Sequence, residues 1–382
     1  MSGKIELKGI TWDHSRGFNP MVCTAQRFSE LNPGVSITWE KRSLQAFADE
    51  PIDELAKRYD FLVIDHPWAG FAAKNKVIVP LNRHLSKEFI ADQRQNSVGK
   101  SYESYTYEGD LWALPIDAAT PVAASRPDLI KSYGLVLPTN YTELLELSKT
   151  GRVIMPGIPQ DTLMNFYMFC CNLGEPVCLS DEQVVSKKIG IQALLMLREL
   201  AKNMPEEVWA WNPIKVYEAL SKGDKYLYSP WAYGYSNYCR KGYAEHTIEF
   251  HDLIKIGESE GISTLGGTGL AISAQCNQMD IALQYAEMVA SPQCQESLYF
   301  EVGGQPGHRR AWLSDYTNQL SNNYFKNTLP TLDRAFLRPR YAGHMYFQDR
   351  AGAPIREYLM KGGNEEVLLQ ELNDLYLTSK KI

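Results

Sequence analysis

Cysteine is present without any pattern. There are seven, an odd number, and no Cys-x-x-Cys. A disulfide framework is thereby excluded as the source of stability, and unpaired thiols suit a reducing compartment. Positive charge is also short: the formal net charge is −6. A nucleic-acid partner, which needs a basic face, is not expected. No stretch approaches the roughly 18 apolar residues of a membrane span. The opening residues Met1–Gly9 carry neither the apolar run nor the small-residue cleavage site of a secretory signal. The sequence as written therefore predicts a cytoplasmic location, and a periplasmic one if a leader has been removed. Gly-x-Ser-x-Gly and His-Glu-x-x-His are both missing, which excludes the common hydrolase signatures. His246 and His251 would face opposite sides of a strand and make a poor metal pair. No metal and no cofactor is expected, and no repeat stands out.

What is there reads as an ordinary globular chain. At 382 residues, with 44% hydrophobic and 22% charged residues, it is long for one core, and two lobes are the expectation. The 22 tyrosines and 8 tryptophans suit large cores or stacking on a polar ligand.

The N-terminal third alternates in type. Residues 5–12 form a strand and 13–20 a loop with Gly17 and Asn19-Pro20. Met21, Val22, Ala25, Phe28 and Leu31 recur at helical spacing, and Asn32-Pro33-Gly34 stops that helix. A second strand covers 35–40. Ser43 starts a helix, 51–58 supplies another, and a third strand covers 60–65. This order predicts a parallel, doubly wound sheet. The first and third strands both end in Asp-His, as Asp13-His14 and Asp65-His66. Ligands of open parallel sheets sit outside the carboxyl ends of the strands, so both pairs are candidate site residues. The bland alternative is that each aspartate caps the next helix.

Further on, 69–75 reads as a helix and Gly109-Asp110 as a hairpin turn. Residues 115–121 break the pattern and read as a hinge, with Asp117 a candidate ligand contact or a turn cap. Asn140 and Glu143 stand near capping-box spacing. Residues 153–156 read as a strand, 161–173 as a sulfur-rich core helix, 189–204 and 216–222 as helices. After a strand over 226–229, the segment 230–238 interleaves Trp231, Tyr233, Tyr235 and Tyr238 with Gly234, Ser236 and Asn237, and reads as an aromatic wall. Another strand covers 247–253. Gly266, Gly267, Thr268 and Gly269 lack the full spacing of a dinucleotide fingerprint and read as backbone crossing between lobes. Helices follow over 279–290 and 293–302, then a tight polar loop, 303–309, with Gln305, His308 and Arg309. Arg338, Arg340, Tyr341, Phe347 and Gln348 follow, and 365–378 is a surface helix.

The strand 60–65 with Pro67-Trp68, residues 114–119, the aromatic segment 230–238, residues 266–271, Ala290-Ser291-Pro292 and the loop 303–309 occur in an order that resembles the family 1 extracellular solute-binding proteins of ABC transporters, in the sugar-binding branch. The resemblance spans nearly the whole chain. It implies an α/β, two-lobed periplasmic-binding-protein-like fold of type II, with discontinuous lobes joined by hinge strands. Residues 1–116 and 265–310 would form the N-terminal lobe, and 117–264 and 311–382 the C-terminal lobe. It implies a ligand held between the lobes, hinge closure, stacking by Trp68 or Trp231, and an ABC-transporter permease as partner of a monomer.

The first functional reading is a binder of a small polar ligand, a carbohydrate or related metabolite. Asp13, Asp65 and Asp117 would accept hydrogen bonds. Trp68, Trp231, Tyr233 and Tyr235 would give flat apolar faces. His14, His66, Asn237, Gly267, Gln305 and His308 would complete the set. Arg309, Arg338 and Arg340 suit a carboxylate or phosphate. The second reading is a cytoplasmic enzyme on the same fold, with His14 and His66 as acid/base groups oriented by Asp13 and Asp65.

Overall fold

The computed structural model describes residues 4–382. Met1, Ser2 and Gly3, on which the leader reading partly rests, lie outside the described residues. In chain order the main elements are β1 (Ile5–Trp12), α1 (Ser15–Leu31), β2 (Val35–Arg42), β3 (Phe61–Ile64), β4 (Leu114–Ala119), β5 (Pro121–Ser125), α2 (Pro159–Asn172), α3 (Lys187–Ala201), β6 (Tyr228–Tyr233), β7 (Glu249–His251), β8 (Gly266–Ile272), α4 (His344–Lys361) and α5 (Glu365–Ser379). The chain divides into two compact units. The first holds residues up to Ala119, Gly266–Gln319 and Arg340–Ala342; the second holds Thr120–Leu265, Leu320–Pro339 and Gly343–Ile382.

The first unit is built on a five-stranded sheet in the order β2-β1-β3-β8-β4. β1 pairs in parallel with β2 and with β3, while β8 runs antiparallel between β3 and β4. The all-parallel expectation is corrected by that one strand. β8 arrives from the second unit, and the antiparallel direction needs no crossover helix. Phe61, Leu62, Val63 and Ile64 are all buried, which accounts for a continuous rather than alternating apolar run. Each such side chain contributes about 1.5–3 kcal/mol on burial.

Two sequence expectations change here. The predicted loop 13–20 is mostly helix, because α1 starts at Ser15 and carries Pro20 inside it. The His14 ring caps the new N-terminus, and Gly17 lets the helix lie on the Trp12 indole, which a Cβ would meet at 2.3 Å. The predicted hinge 115–121 is strand except at Thr120, where the chain passes between the units. β4 and β5 follow each other with Thr120 between them, and Asp117 lies inside β4. The chain passes between units at Ala119/Thr120, because β4 and β5 pair with different sheets.

The second unit contains a three-stranded antiparallel sheet, β6-β5-β7, and the buried helix α2. Twelve residues of α2, from Asp161 to Asn172, are buried, as its apolar, sulfur-rich composition requires. The Thr162 hydroxyl donates to the Gly352 carbonyl of α4 at 3.1 Å. No helix is legible over 344–361 in the sequence because Gly352 and Pro354 punctuate it, yet α4 is continuous over eighteen residues. Residues 153–156 make only the isolated bridge Val153 to Tyr228, and the strand predicted over 247–253 shrinks to β7. β6 continues through Pro230, where a loop was expected; at the edge of the sheet the missing N–H costs no ladder bond.

Candidate functional site

The carboxyl edge of the first unit's sheet gathers most of the predicted residues. Gly9 pairs with Phe61 and Ile10 with Leu62. Asp13-His14 follows the end of β1 and Asp65-His66 the end of β3, the two strands running in the same direction. On the other side of β3, the start of β8 meets the end of β4: Gly266 pairs with Ala119, Gly267 with Ala118 and Thr268 with Asp117. Gly267 has φ +100, and a Cβ there would lie 2.3 Å from the Asp117 carbonyl oxygen. Only glycine fits that approach without strain.

The polar groups at this edge are held by one another. The His14 Nδ1 accepts the Arg16 N–H at 3.0 Å, and the Asp65 carboxylate accepts the His66 N–H at 2.9 Å. Both are capping bonds; the bland alternative, a cap by each aspartate, holds for Asp65, whereas His14 takes that place instead of Asp13. Asp13 is exposed and pairs with Lys41 at 2.8 Å. Asp117 is buried and receives a two-pronged contact from Arg16, with Nη2 to Oδ1 at 2.6 Å and Nε to Oδ2 at 2.8 Å. Burial pushes the Asp117 carboxyl up, and the Arg16 guanidinium opposes it. The Tyr105 hydroxyl donates to the Ile64 carbonyl at 3.1 Å and packs edge-on to the His66 ring.

The polar loop 303–309 runs beside β4. The Gln305 amide donates to the Ala118 carbonyl at 2.7 Å, and the Gly307 N–H donates to the Ile116 carbonyl. His308 lies further along. Its Nε2 is 3.2 Å from an Asp92 carboxylate oxygen, its Nδ1 accepts the Arg310 N–H, and burial holds its pKa below the usual value. Arg309 opens the following short helix. Trp68 is buried edge-on to Phe71 rather than presented as a free face.

The remaining predicted residues belong to the second unit. Trp231 is fully buried with its ring 5.3 Å from Phe169, so it is no exposed platform. Tyr235 and Asn237 are buried, and Tyr235 packs near Tyr217. Tyr233 is half-buried, its hydroxyl 3.1 Å from the Thr264 hydroxyl. The aromatic run thus builds core more than wall. Arg338 and Arg340, read as anion-binding, are engaged in structure: Arg338 Nε donates to the Leu265 carbonyl at 3.0 Å, and Arg340 Nη1 to the Thr106 carbonyl at 2.7 Å.

Sequence reasoning missed Arg16, whose partner Asp117 is 101 residues away. It also missed Thr268, noticed only as part of a glycine cluster. The Thr268 hydroxyl is buried and has no hydrogen-bond partner among the described residues. Its register beside Asp117 places it at the same edge. Among the described residues no group of three His, Cys, Asp or Glu side chains is placed to hold a metal ion. None of the described helices is long and apolar enough to cross a membrane.

Comparison with known proteins gives this geometry a context. Among curated proteins none matches the chain's sequence. Solved structures match throughout. The maltose-bound MalE3 of T. maritima superposes with a TM-score of 0.85 at 16% identity, over 97% of this chain and 99% of that one. A solute-binding protein of an ABC transporter from Agrobacterium radiobacter K84, in complex with ribitol, gives 0.82 at 17% identity, over 98% and 99%. One from Thermotoga lettingae TMO, bound with α-D-tagatose, gives 0.81 at 16% identity, over 97% and 100%. These likenesses establish the two-lobed α/β fold. The family model for bacterial extracellular solute-binding proteins matches residues 24–306. An extracellular family gives no support to the cytoplasmic expectation or to the enzyme reading, and it allows the periplasmic alternative. The chain belongs to the bacterial extracellular solute-binding protein family.

Proposed function

We propose that the solute is a small hydroxylated molecule of the sugar or polyol class, and that the chain delivers it to an ABC-transporter permease. The supporting observation is the edge of the first unit's sheet. There, β1 and β3 run in parallel into Asp13-His14 and Asp65-His66, and Asp117 of β4 pairs with Thr268, whose buried hydroxyl has no partner among the described residues. Strand ends of this kind are where α/β sheets take ligands. Within the proposal, Asp65, His66, Gly267, Thr268 and Gln305 line the contact surface, and Asp117 acts through its grip on Arg16. Two-lobed binders close by hinge motion, and that motion is part of the proposal. The solved relatives carry maltose, ribitol and tagatose, which makes those three the first compounds to try.

The test is a thermal-shift titration with maltose, ribitol and tagatose, extended to other sugars and polyols. A ligand at about 100 times its Kd stabilises the folded state by about 2.7 kcal/mol. At about 2–4 °C per kcal/mol, the melting temperature should rise by about 5–10 °C and saturate. A flat response across both compound classes refutes the ligand assignment.

A further inference from the structure

One buried side chain of the first unit touches two of the strand ends at the candidate site. The Tyr105 hydroxyl donates to the carbonyl of Ile64, the last residue of β3, at 3.1 Å. It also lies 3.5 Å from the carbonyl of Gly267, near the start of β8. Ile64 leads directly into Asp65-His66, and Gly267 into Thr268. The Tyr105 ring stands edge-on to the His66 ring, with centroids 6.2 Å apart.

The chain makes room for that ring. A Cβ at Gly269 would lie 2.7 Å from the Tyr105 Cε1 and Cζ atoms. At the same point the pairing of β8 with β4 slips. Thr268 pairs with Asp117 and Gly269 with Pro115, so Ile116 is passed over. A bulge of this kind bends a strand, raises its twist and re-aims a side chain. Here the residues at the bulge include Asp117 and Thr268, and the Tyr105 ring packs against its glycine. Tyr105 is itself tied through the backbone. Its carbonyl accepts the Trp112 N–H at 2.9 Å, and Arg340 Nη1 donates to the next carbonyl, that of Thr106, at 2.7 Å.

The ordinary account of a buried tyrosine is an apolar ring whose hydroxyl finds a nearby acceptor. Phenylalanine would fill the same space. What the hydroxyl adds is a bond to the last carbonyl before Asp65-His66, within reach of the carbonyl before Thr268. We infer that Tyr105 is a positioning residue of the solute site: by tying the end of β3 to the start of β8, it sets the spacing of His66 and Thr268. The inference rests on the solute-binding reading. Binding groups must be held within about 0.5 Å of their productive place by packing and by hydrogen bonds behind them, and hydrogen bonds to a ligand weaken steeply once misaligned.

Calorimetry on the full chain tests this, well below the melting temperature, with a sugar or polyol that saturates the thermal-shift titration. The chain is then fully folded, so a loss of stability alone leaves Kd unchanged. Tyr105→Phe keeps the ring and removes the hydroxyl. It should raise Kd about tenfold, while the melting temperature falls by only about 1–6 °C. In a Thr268→Val background the same change should raise Kd less than about threefold, because a contact that Tyr105 places is already gone. Gly269→Ala, which forces the ring aside, should weaken binding about as much as Tyr105→Phe. A Kd within about twofold of wild type in Tyr105→Phe or in Gly269→Ala, or an equal loss in both Thr268 backgrounds, overturns the role of Tyr105 while the solute-binding reading stands. If the wild type binds no sugar or polyol, that reading falls and the role of Tyr105 falls with it.

Discussion

Removing the Arg16 side chain should destabilise the first unit more than any other single change at the sheet edge. Its guanidinium side chain is 4% exposed and the Asp117 carboxylate 0%, with contacts of 2.6 and 2.8 Å. Arg16→Ala leaves a carboxylate buried without its counter-charge. Breaking one half of such a pair costs about 3–5 kcal/mol. At about 2–4 °C per kcal/mol for units of this size, the melting temperature should fall by about 6–20 °C. The double variant Arg16→Met with Asp117→Leu removes both charges and keeps apolar volume. It should recover most of the loss, because replacing a buried pair with packed side chains is often neutral or stabilising by about 1–4 kcal/mol. The assay is thermal unfolding followed by circular dichroism on the wild type, both single variants and the double, read as a double-mutant cycle. A loss below about 1 kcal/mol in Arg16→Ala would refute the claim that Asp117 depends on Arg16. It would return Asp117 to the role of a direct ligand acceptor.

Thr268→Val keeps the shape and removes the unpartnered hydroxyl, so stability should hold or rise by up to about 1 kcal/mol while solute affinity falls about tenfold. Calorimetry with a compound that passes the thermal-shift test checks this, and a clear loss of stability would mean the hydroxyl has a structural partner. His251 carries a pKa lowered by burial, with Glu249 opposing, and its Nε2 lies 2.8 Å from the Ser125 hydroxyl. The unfolded chain takes up this proton near pH 6.5 and the folded chain only below that. The contribution of His251 is therefore complete above about pH 6.5 and is lost as pH falls towards the folded value. His251→Gln should flatten the decline in melting temperature between about pH 7 and pH 5; an unchanged slope relative to wild type would rule out the assignment.

Some of the site was legible because its signals are local. An apolar run ending in Asp-His occurs twice, and the strands that carry the two copies, β1 and β3, pair in parallel. The bland role, a cap by each aspartate, holds for Asp65 but not for Asp13, whose place is taken by His14. The aromatic run 230–238 misled because alternation with Gly, Ser and Asn looks like a surface. Tyr217, brought against Tyr235 and Tyr238 from elsewhere in the chain and itself packed on Phe250, turns much of it into core. Thr268 carried no signal of its own: its importance comes from a hydroxyl left without a partner, and only packing creates such a deficit.

The sequence by itself determined the alternation of strands and helices in the N-terminal third, the buried character of β3 and α2, and a two-lobed solute-binding architecture. These follow from periodicity, apolar runs and turn chemistry, which act over a few residues, and from the order of motifs along the chain. Tertiary structure alone decided that β8 enters antiparallel between β3 and β4, that Arg16 reaches Asp117, and that Tyr105 reaches the ends of β3 and β8. Each of these depends on segments distant in sequence meeting in space. Whether a buried polar atom is satisfied is a property of everything packed around it.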